Sequence, residues 1–272
     1  MPSVSRIQWL RRFRAVGRAV QRAVRSQGDQ RLRRRPLGRG AGGDETYGLD
    51  RLAEETVLAE LVKMARPGET FTVISEECGT RSFGSRGPRV LVDPIDGSTN
   101  ARREIPYYRL SLALAEGETL GSVTVGYLLN LASGETFWAV AGRGSFRNGS
   151  PLLPAGDGPL HLLGLELRRP SRELEAVLPL LRHVRKIRCL GALALDLGYL
   201  ASGAMDAVLC PFATRGTDLA AGYLIVHQAG GRVTDLQGGS LDHRPAGLED
   251  TAPFLAARTP ALHRQAMQRL EG

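Results

Sequence analysis

The sequence predicts a mixed α/β protein, of the α+β kind, in which sheets are flanked by helices. In the first half of the chain, short β-rich runs follow one another with Gly, Asn or Ser between them, which is typical of a largely antiparallel sheet. In the second half, strand-like runs alternate with runs of helical periodicity. With 272 residues, the chain is long enough for one large domain or two closely packed ones.

The first predicted element is a helix over residues 3–27, in which apolar residues recur at helical spacing and arginines lie between them. Residues 1–39 hold twelve arginines and one acid, so the net charge of +8 divides into +11 here and −3 elsewhere. Three interpretations stay open: a helix packed on the body with solvated arginines, a basic segment that contacts nucleic acid, an anionic membrane or an acidic partner, and a targeting peptide. Residues 30–43 predict a loop.

The remaining elements follow in chain order. Helices are predicted where apolar residues repeat every three or four positions, at 50–65, 171–184, 192–202, 217–229 and 259–270. Strands are predicted at the β-rich runs 71–75, 89–93, 108–115, 122–129, 135–140, 161–167, 186–190, 206–210 and, as the last strand, 232–235.

The composition argues against several classes of protein. A hydrophobic content of 42% and a charged content of 24% are ordinary for a soluble globular chain. Because no run of about 18 apolar residues occurs, no membrane span is expected. Cys78, Cys189 and Cys210 are odd in number and far apart, which argues against a disulfide framework and a cysteine-based zinc site. We therefore expect a reducing, cytoplasmic setting.

The segment Val-Leu-Val-Asp-Pro-Ile-Asp at 90–96 carries the clearest chemical signal. Asp93 ends an apolar run and Asp96 follows three residues later, and two carboxylates this close repel each other unless a cation lies between them or one is protonated. With the Ile95 carbonyl, they provide hard oxygen ligands that suit Mg²⁺ or Mn²⁺. The segment predicts a metal site, and an Asx-type turn before a capped helix is the alternative.

The residues directly after Asp96 predict an anion site. Gly97 lets the backbone pass close to a ligand. The N–H groups of Gly97, Ser98 and Thr99 begin a helix, where an anion is stabilised. A phosphate that bridges to a metal would fit this order of residues.

Three more acids stand at element boundaries, where a rigid scaffold leads into a loop. Asp50 begins a predicted helix, Glu76 follows a predicted strand, and Asp218 opens the helix at 217–229. Taken singly, each has a plain structural alternative: Asp218 could be a helix cap, and the pair Glu76-Glu77 could be solvated surface charge. Their combination with Asp93 and Asp96, in this order, favours a site.

That order resembles the inositol monophosphatase superfamily of Mg²⁺-dependent phosphatases, which includes fructose-1,6-bisphosphatases and nucleotide 3′-phosphatases. The matching motifs are G-D-x-T with D-x-x-A-E, then S-E-E, then D-P-I-D-G-S-T-N, then T-D-L-A-A-G with A-G-G-R-V-T-D. They run from about residue 40 to 257. Stretches such as G-Y-L-L-N-L-A-S-G-E and R-C-L-G-A-L-A-L-D further resemble archaeal-type enzymes that act on both inositol phosphates and fructose bisphosphate.

The resemblance implies a layered αβαβα sandwich, a homodimer, and two Mg²⁺ ions with a third as an option and Mn²⁺ as a substitute. The implied metal ligands are Glu76, Asp93, the Ile95 carbonyl, Asp96 and Asp218. Asp50 and Ser98 match the pair that orients and deprotonates the attacking water. The implied phosphate and substrate contacts are Asp96, Gly97, Ser98, Thr99, Arg188 and Leu193.

The chain departs from the family pattern in several places. Ser98 and Thr217 replace a usual Thr and a frequent Trp. The D-x-R of the archaeal-type enzymes reads Cys210-Pro211-Phe212 here, so an arginine that would meet a second phosphate or a hydroxyl is a phenylalanine.

We expect a phosphomonoesterase that hydrolyses a small phosphorylated polyol or sugar. Inositol-1-phosphate comes first among the candidate substrates, fructose-1,6-bisphosphate second, and 3′-phosphoadenosine 5′-phosphate or NADP third. The expected organisation is an Arg-rich N-terminal helix and linker (1–39), a metal-binding α+β half (40–157) and a C-terminal α/β half that completes the active site (158–272). A nucleic-acid- or membrane-binding protein that acts through the N-terminus is the alternative from another class.

Overall fold

Helices and sheets alternate in five layers in a computed structural model of the protein, which describes residues 4–27, 35–84, 87–153 and 156–270. The helices in those ranges are α1 (Arg6–Ser26), α2 (Gly48–Met64), α3 (Ser98–Arg102), α4 (Pro170–Leu181), α5 (Leu193–Ala201), α6 (Gly216–Gln228) and α7 (Pro260–Leu270), with a 3-10 turn at Leu120–Ser122. The strands are β1 (Pro36–Arg39), β2 (Glu45–Tyr47), β3 (Phe71–Ser75), β4 (Gly79–Phe83), β5 (Arg89–Asp96), β6 (Arg109–Ala115), β7 (Val123–Asn130), β8 (Thr136–Val140), β9 (Ser145–Arg147), β10 (Ser150–Pro151), β11 (Leu162–Leu165), β12 (Lys186–Arg188), β13 (Ala207–Cys210), β14 (Arg232–Asp235) and β15 (Phe254–Ala257).

The larger sheet has eight strands in the order β10-β9-β8-β7-β6-β5-β3-β4. Neighbours pair antiparallel except β3 and β5, which run parallel. Alternation along β5 gives the sheet two apolar faces: Val90 and Val92 pack with α1 and α2, and Leu91 packs with α5 and α6. The five-stranded sheet β12-β11-β13-β15-β14 lies beyond α5 and α6, with α4 and α7 on its far side. The expectation of a layered αβαβα sandwich is confirmed.

Helix α1 is part of the first layer. Ser5 and Gln8 form a reciprocal capping box that begins the helix, with Gln8 N–H 3.3 Å from Ser5 Oγ. One face, including Phe13 and Val20, is fully buried against α2 and the larger sheet. Arg6 pairs with Glu116 of the sheet connection at 2.8 Å. The helix therefore packs on the body, as the first of the three interpretations predicts.

The segment after α1 is more ordered than the predicted loop at 30–43. Residues 28–34 lie outside the described ranges, but 36–39 form β1, which pairs antiparallel with β2. The prediction of a loop was wrong for β1. The pairing shifts register between Pro36 and Gly38, and Gly38 has a φ of +126°. The pattern of the sequence does not predict this short, exposed hairpin, because the Gly, Pro and Arg residues of the segment do not alternate in hydrophobicity.

Short strands account for the other differences from the sequence prediction. Besides β1, five strands in the described residues were missed: β2, β4, β9, β10 and β15. β15 also contradicts the prediction that 232–235 is the last strand, since β15 lies between β13 and β14 and pairs antiparallel with both. Its four residues, Phe-Leu-Ala-Ala, are all buried and show no alternation, so they cannot be told from a buried helix turn by pattern.

Helix α6 lies unusually close to the larger sheet. Gly126 of β7 allows this approach, since a Cβ there would lie 2.7 Å from the Ala221 carbonyl oxygen. Leu219, Ala220 and Ala221 are fully buried in the layer between the two sheets. The close packing fixes the first turn of α6, which carries Asp218, beside the ends of β5 and β6.

Candidate functional site

Glu76 and Asp93 lie side by side because of the one parallel strand pair in the larger sheet. Ser75 and Val92 are register partners, and Glu76 and Asp93 are the residues that directly follow them. Asp218 approaches from the first turn of α6. Ligand oxygens of the three carboxylates lie within 4.8 Å of one another. We call Glu76, Asp93 and Asp218 the acidic cluster.

Metal binding would relieve the charge repulsion in the acidic cluster. Burial raises the pKa of Glu76 and of Asp93, and repulsion by Asp218 raises both further. Asp93 is 2% exposed, and no group in the described residues donates a hydrogen bond to its Oδ1. Carboxylate oxygens that are close together, buried and short of partners fit Mg²⁺, which prefers hard oxygen ligands.

Strand β5 bends between its two acids. Its pairing with β6 shifts register between Asp93 and Asp96, at Pro94 and Ile95. The strand continues through Pro94 to Asp96, three residues beyond the predicted strand end. Asp96 lies after the bulge and outside the acidic cluster, and its Oδ2 lies 3.0 Å from Arg109 and 3.3 Å from the Ala194 N–H.

Arg215 is a site residue that the sequence analysis missed. Its guanidinium reaches Glu76 at 2.8 Å, Asp218 at 3.3 Å and Asp44 at 3.0 Å. It also donates to the Gly42 carbonyl at 3.0 Å, which ties the β1–β2 turn to α6. A signal was present in the sequence, because an arginine three positions before an acid at a helix start can pair with it.

Gly97 makes the turn between β5 and α3. Its φ of +84° favours glycine, and a Cβ would lie 3.0 Å from the carbonyl oxygens of both Gly191 and Tyr107. The Ser98 hydroxyl donates to the Ile95 carbonyl at 2.9 Å, and Arg102 donates to Thr99 Oγ1 at 3.0 Å. The structure thus brings the predicted anion-binding turn directly after Asp96.

Asp50 is a buried acid in the first turn of α2. Its Oδ2 accepts the Tyr47 N–H at 2.9 Å. Burial raises the pKa of Asp50 to about 7, while the hydrogen bond from the Tyr47 N–H opposes the shift. A carboxylate with a pKa near 7 can accept a proton at neutral pH, which is the property required of a general base.

Apart from Asp50, which is not among the lining residues, the predicted catalytic residues and metal ligands line one cavity of about 360 Å³. Its lining residues are Asp44, Glu45, Tyr47, Glu76, Glu77, Asp93, Ile95, Asp96, Gly97, Ser98, Thr99, Arg102, Gly191, Arg215 and Asp218. Every predicted metal ligand is included, and so are the three residues of the predicted anion-binding turn. The cavity is large enough for a small phosphate ester.

The predicted substrate residues are less closely grouped. Leu193 is buried at the start of α5, two residues after Gly191 of the cavity wall. Arg188 is exposed at the end of β12, and its Nη1 donates to the Ile187 carbonyl. It does not line the cavity. Phe212 is half-buried, and the Arg168 guanidinium lies 4.6 Å from its ring centre.

Comparison with known proteins identifies the class. The sequence matches the inositol monophosphatase family over residues 10–270. It is 36% identical over 243 residues to a fructose-1,6-bisphosphatase/inositol-1-monophosphatase of Methanothermobacter thermautotrophicus, covering 85% of each chain. It is 36% identical over 204 residues to an inositol-1-monophosphatase of Mesorhizobium japonicum, covering 72% of this chain and 74% of that one.

A solved structure has a similar fold. The extragenic suppressor protein suhB from Bartonella henselae superposes with a TM-score of 0.81 at 27% identity, covering 97% of this chain and 98% of that one. The chain belongs to the inositol monophosphatase family, and it is therefore a phosphomonoesterase of a metal-dependent class. The match begins within α1, earlier than the predicted start near residue 40, because α1 is part of the fold.

The helices were also compared with the dimensions of a bilayer. Within residues 4–27, 35–84, 87–153 and 156–270, none combines the length and the hydrophobicity required to cross a membrane.

Proposed function

We propose that this phosphomonoesterase depends on Mg²⁺ and hydrolyses the phosphate ester of a small polyol or sugar, with inositol-1-phosphate as its first substrate. The observation that carries the proposal is the acidic cluster at the wall of the 360 Å³ cavity, beside the Gly97 turn. Glu76, Asp93, Asp218 and the Ile95 carbonyl would hold the metal. The two similar proteins above are both named for inositol-1-monophosphatase activity, which supports this substrate.

The chain's own groups would have distinct tasks in the reaction. When bound, Mg²⁺ supplies positive charge to the phosphate oxygens and lowers the pKa of a water molecule. Asp50, with its pKa near 7, would accept a proton from that water through the Ser98 hydroxyl. The N–H groups of Ser98 and Thr99 would orient the phosphate. The prediction of two Mg²⁺ ions, with a third as an option and Mn²⁺ as a substitute, stays a prediction.

Fructose-1,6-bisphosphate is the second candidate, and the pair formed by Arg168 and Phe212 favours it. Phe212 is at the position of the arginine in the D-x-R motif of the archaeal-type enzymes, and the Arg168 guanidinium stacks on the Phe212 ring. Glu166, two residues before Arg168, has a pKa that burial raises to about 8 and that repulsion by Asp96 raises further. A cation at Arg168 would suit a second phosphate. Hydrolysis of 3′-phosphoadenosine 5′-phosphate or NADP is the third candidate.

Several expectations stay predictions. They are the substrate contacts of Arg188 and Leu193, a homodimer, a cytoplasmic setting, and contact of the N-terminus with nucleic acid or a membrane. Deleting residues 1–39 would remove the buried face of α1, so the N-terminal alternative needs a surface variant instead. Arg11, Arg18 and Arg22 are exposed on α1. If the triple change to Gln does not alter salt-dependent retention on RNA or on anionic vesicles, that alternative fails.

The first test is phosphate release, with Mg²⁺ and with EDTA, from inositol-1-phosphate, fructose-1,6-bisphosphate, 3′-phosphoadenosine 5′-phosphate and NADP. We expect Mg²⁺-dependent release that EDTA abolishes, fastest with inositol-1-phosphate. Faster release from fructose-1,6-bisphosphate would support the second candidate, and its loss in Arg168→Ala would assign the second phosphate to that residue. Equal release in EDTA would contradict the proposed function.

A further inference from the structure

Arg109 is a buried cation that faces the two acids of β5. It is the register partner of Asp96 across the β5–β6 pair, so the two side chains are direct cross-strand neighbours. Along β6 it also shares the face of Ala113, which packs towards α5 and α6, and this is the face on which Asp218 lies. Arg109 is 0% exposed.

The Arg109 guanidinium contacts three of the predicted ligand residues through one nitrogen. Its Nη2 lies 3.0 Å from Asp96 Oδ2, 3.4 Å from Asp93 Oδ2 and 3.3 Å from the Asp218 carbonyl oxygen. In the described part of the chain, no group accepts a hydrogen bond from its Nε or Nη1. An arginine does not lose its proton in a protein, so a permanent positive charge lies directly behind these carboxylates.

The positions of the ligand oxygens divide the predicted ligands into two groups, although Arg109 contacts members of both. Glu76, Asp93 and Asp218 come within 4.8 Å of one another, and Asp96 is not part of that cluster. Asp96 Oδ2 is taken by Arg109 and by the Ala194 N–H at 3.3 Å. A divalent cation on the Asp96 side would lose a ligand oxygen and would be repelled by a guanidinium that water does not screen.

We propose that Arg109 takes the place of a divalent cation beside Asp96, so that the enzyme's resident metal is confined to the acidic cluster. The inference rests on the proposed function, because it assumes that the acidic cluster binds Mg²⁺. It accounts for the close approach of Asp93 and Asp96: a built-in cation offsets their repulsion, and no second ion is required. It also lowers the predicted number of resident metals from two to one.

Counting bound Mn²⁺ tests the inference without measuring catalysis. Free Mn²⁺ has a sharp electron paramagnetic resonance signal that is lost on binding, so a titration gives the number bound per chain. We expect one Mn²⁺ in the wild type, two in Arg109→Ala and one in Arg109→Lys, which keeps the charge. Arg143→Ala, which removes an exposed arginine, is the matched control and should bind one.

A second variant covers the case in which Arg109→Ala does not fold, which thermal melting would detect. Asp96→Asn should still bind one Mn²⁺ at saturation, because Asp96 does not hold the resident ion. Two Mn²⁺ in the wild type, with one lost in Asp96→Asn, would overturn the inference. Equal numbers of bound Mn²⁺ in the wild type and in a folded Arg109→Ala variant would also overturn it.

The failure of the inference can be told from that of the proposed function. A wild type that releases phosphate with Mg²⁺ but binds as many Mn²⁺ as Arg109→Ala overturns only the inference. A wild type that binds no Mn²⁺ and releases no phosphate overturns both.

Discussion

Two arginines pair with different carboxylates of the site, and they differ in their access to solvent. Arg109 lies within the sheet, 0% exposed, and reaches Asp93 and Asp96. Arg215 lies at the cavity, with 11% of its side chain exposed, and reaches Glu76, Asp218 and the exposed Asp44. We call these groups the Arg109 side and the Arg215 side.

The difference in burial separates a fixed charge from an exchangeable one. Arg109 has no route away from its partners, because the larger sheet and α6 enclose it. Arg215 lines the cavity, so its side chain can leave the carboxylates when a metal ion binds them. Of the two guanidinium groups, we therefore expect that of Arg215 to compete reversibly with a metal. The four predictions below test this comparison.

The largest effect is expected from Asp93→Asn, because Asp93 belongs both to the Arg109 side and to the acidic cluster. The change removes a buried ligand oxygen from the acidic cluster. Since a bound metal supplies several kcal/mol of charge stabilisation in the transition state, we expect turnover to fall about 10³-fold. Phosphate release at saturating Mg²⁺ measures it, with the exposed Asp157→Asn as the control. A loss of less than tenfold would show that the acidic cluster does not hold the catalytic metal.

Asp50→Asn is expected to lower turnover about 10²-fold, within the range for removal of a general base. Asp50 lies outside both arginine groups, so Mn²⁺ binding should stay unchanged. The pKa of Asp50 is raised to about 7, and the charged form is the one that accepts a proton. Wild-type activity should therefore rise with pH through about 7 and be lost as pH falls below it.

A pH profile of kcat/KM at saturating Mg²⁺ checks this prediction. The variant should lack the acidic limb that Asp50 causes, and its residual activity should change less between pH 6 and 8. An unchanged acidic limb in Asp50→Asn would assign that limb to another group.

Arg215→Gln tests whether the charge on the Arg215 side is exchangeable. In EDTA, the variant leaves Glu76 and Asp218 without the guanidinium that pairs with them. We expect the unfolding free energy to fall by about 2 kcal/mol, which is less than the loss of a partner costs in a fully buried ion pair. With saturating Mg²⁺ the loss should largely disappear, because the ion replaces the guanidinium. Denaturant unfolding in both buffers measures it. A loss of the same size with and without Mg²⁺ would contradict the exchange.

The sequence predicted the site more completely than the arrangement of charges around it. Glu76, Asp93, Ile95, Asp96 and Asp218 all reach one cavity because strand ends and helix starts are local features that short motifs specify. The role of Arg109 could not be read in the same way, and for Arg215 the sequence signals only its pairing with Asp218. Arg109 faces Asp96 only because β5 and β6 pair in one register, and that register depends on the bulge at Pro94 and Ile95.

Prediction of the fold from the sequence was limited in the same way, by contacts between distant parts of the chain. The longer helices and the longer strands of the larger sheet have clear periodicity, and the layered arrangement was implied by the family resemblance. β15 was missed because its insertion between β13 and β14 is a long-range pairing of four uniformly buried residues. Tertiary contacts decided its structure, and local pattern did not.

The smallest effect is expected from Asp44→Asn, the exposed member of the Arg215 side. Asp44 lies 3.0 Å from Arg215, but 63% of its side chain is exposed, so water screens the pair. We expect the unfolding free energy in EDTA to change by no more than about 0.5 kcal/mol. Arg215→Gln in the same buffer is the matched comparison. If Asp44→Asn cost as much as Arg215→Gln, the stability of this side would depend on the β1–β2 turn and not on the buried carboxylates.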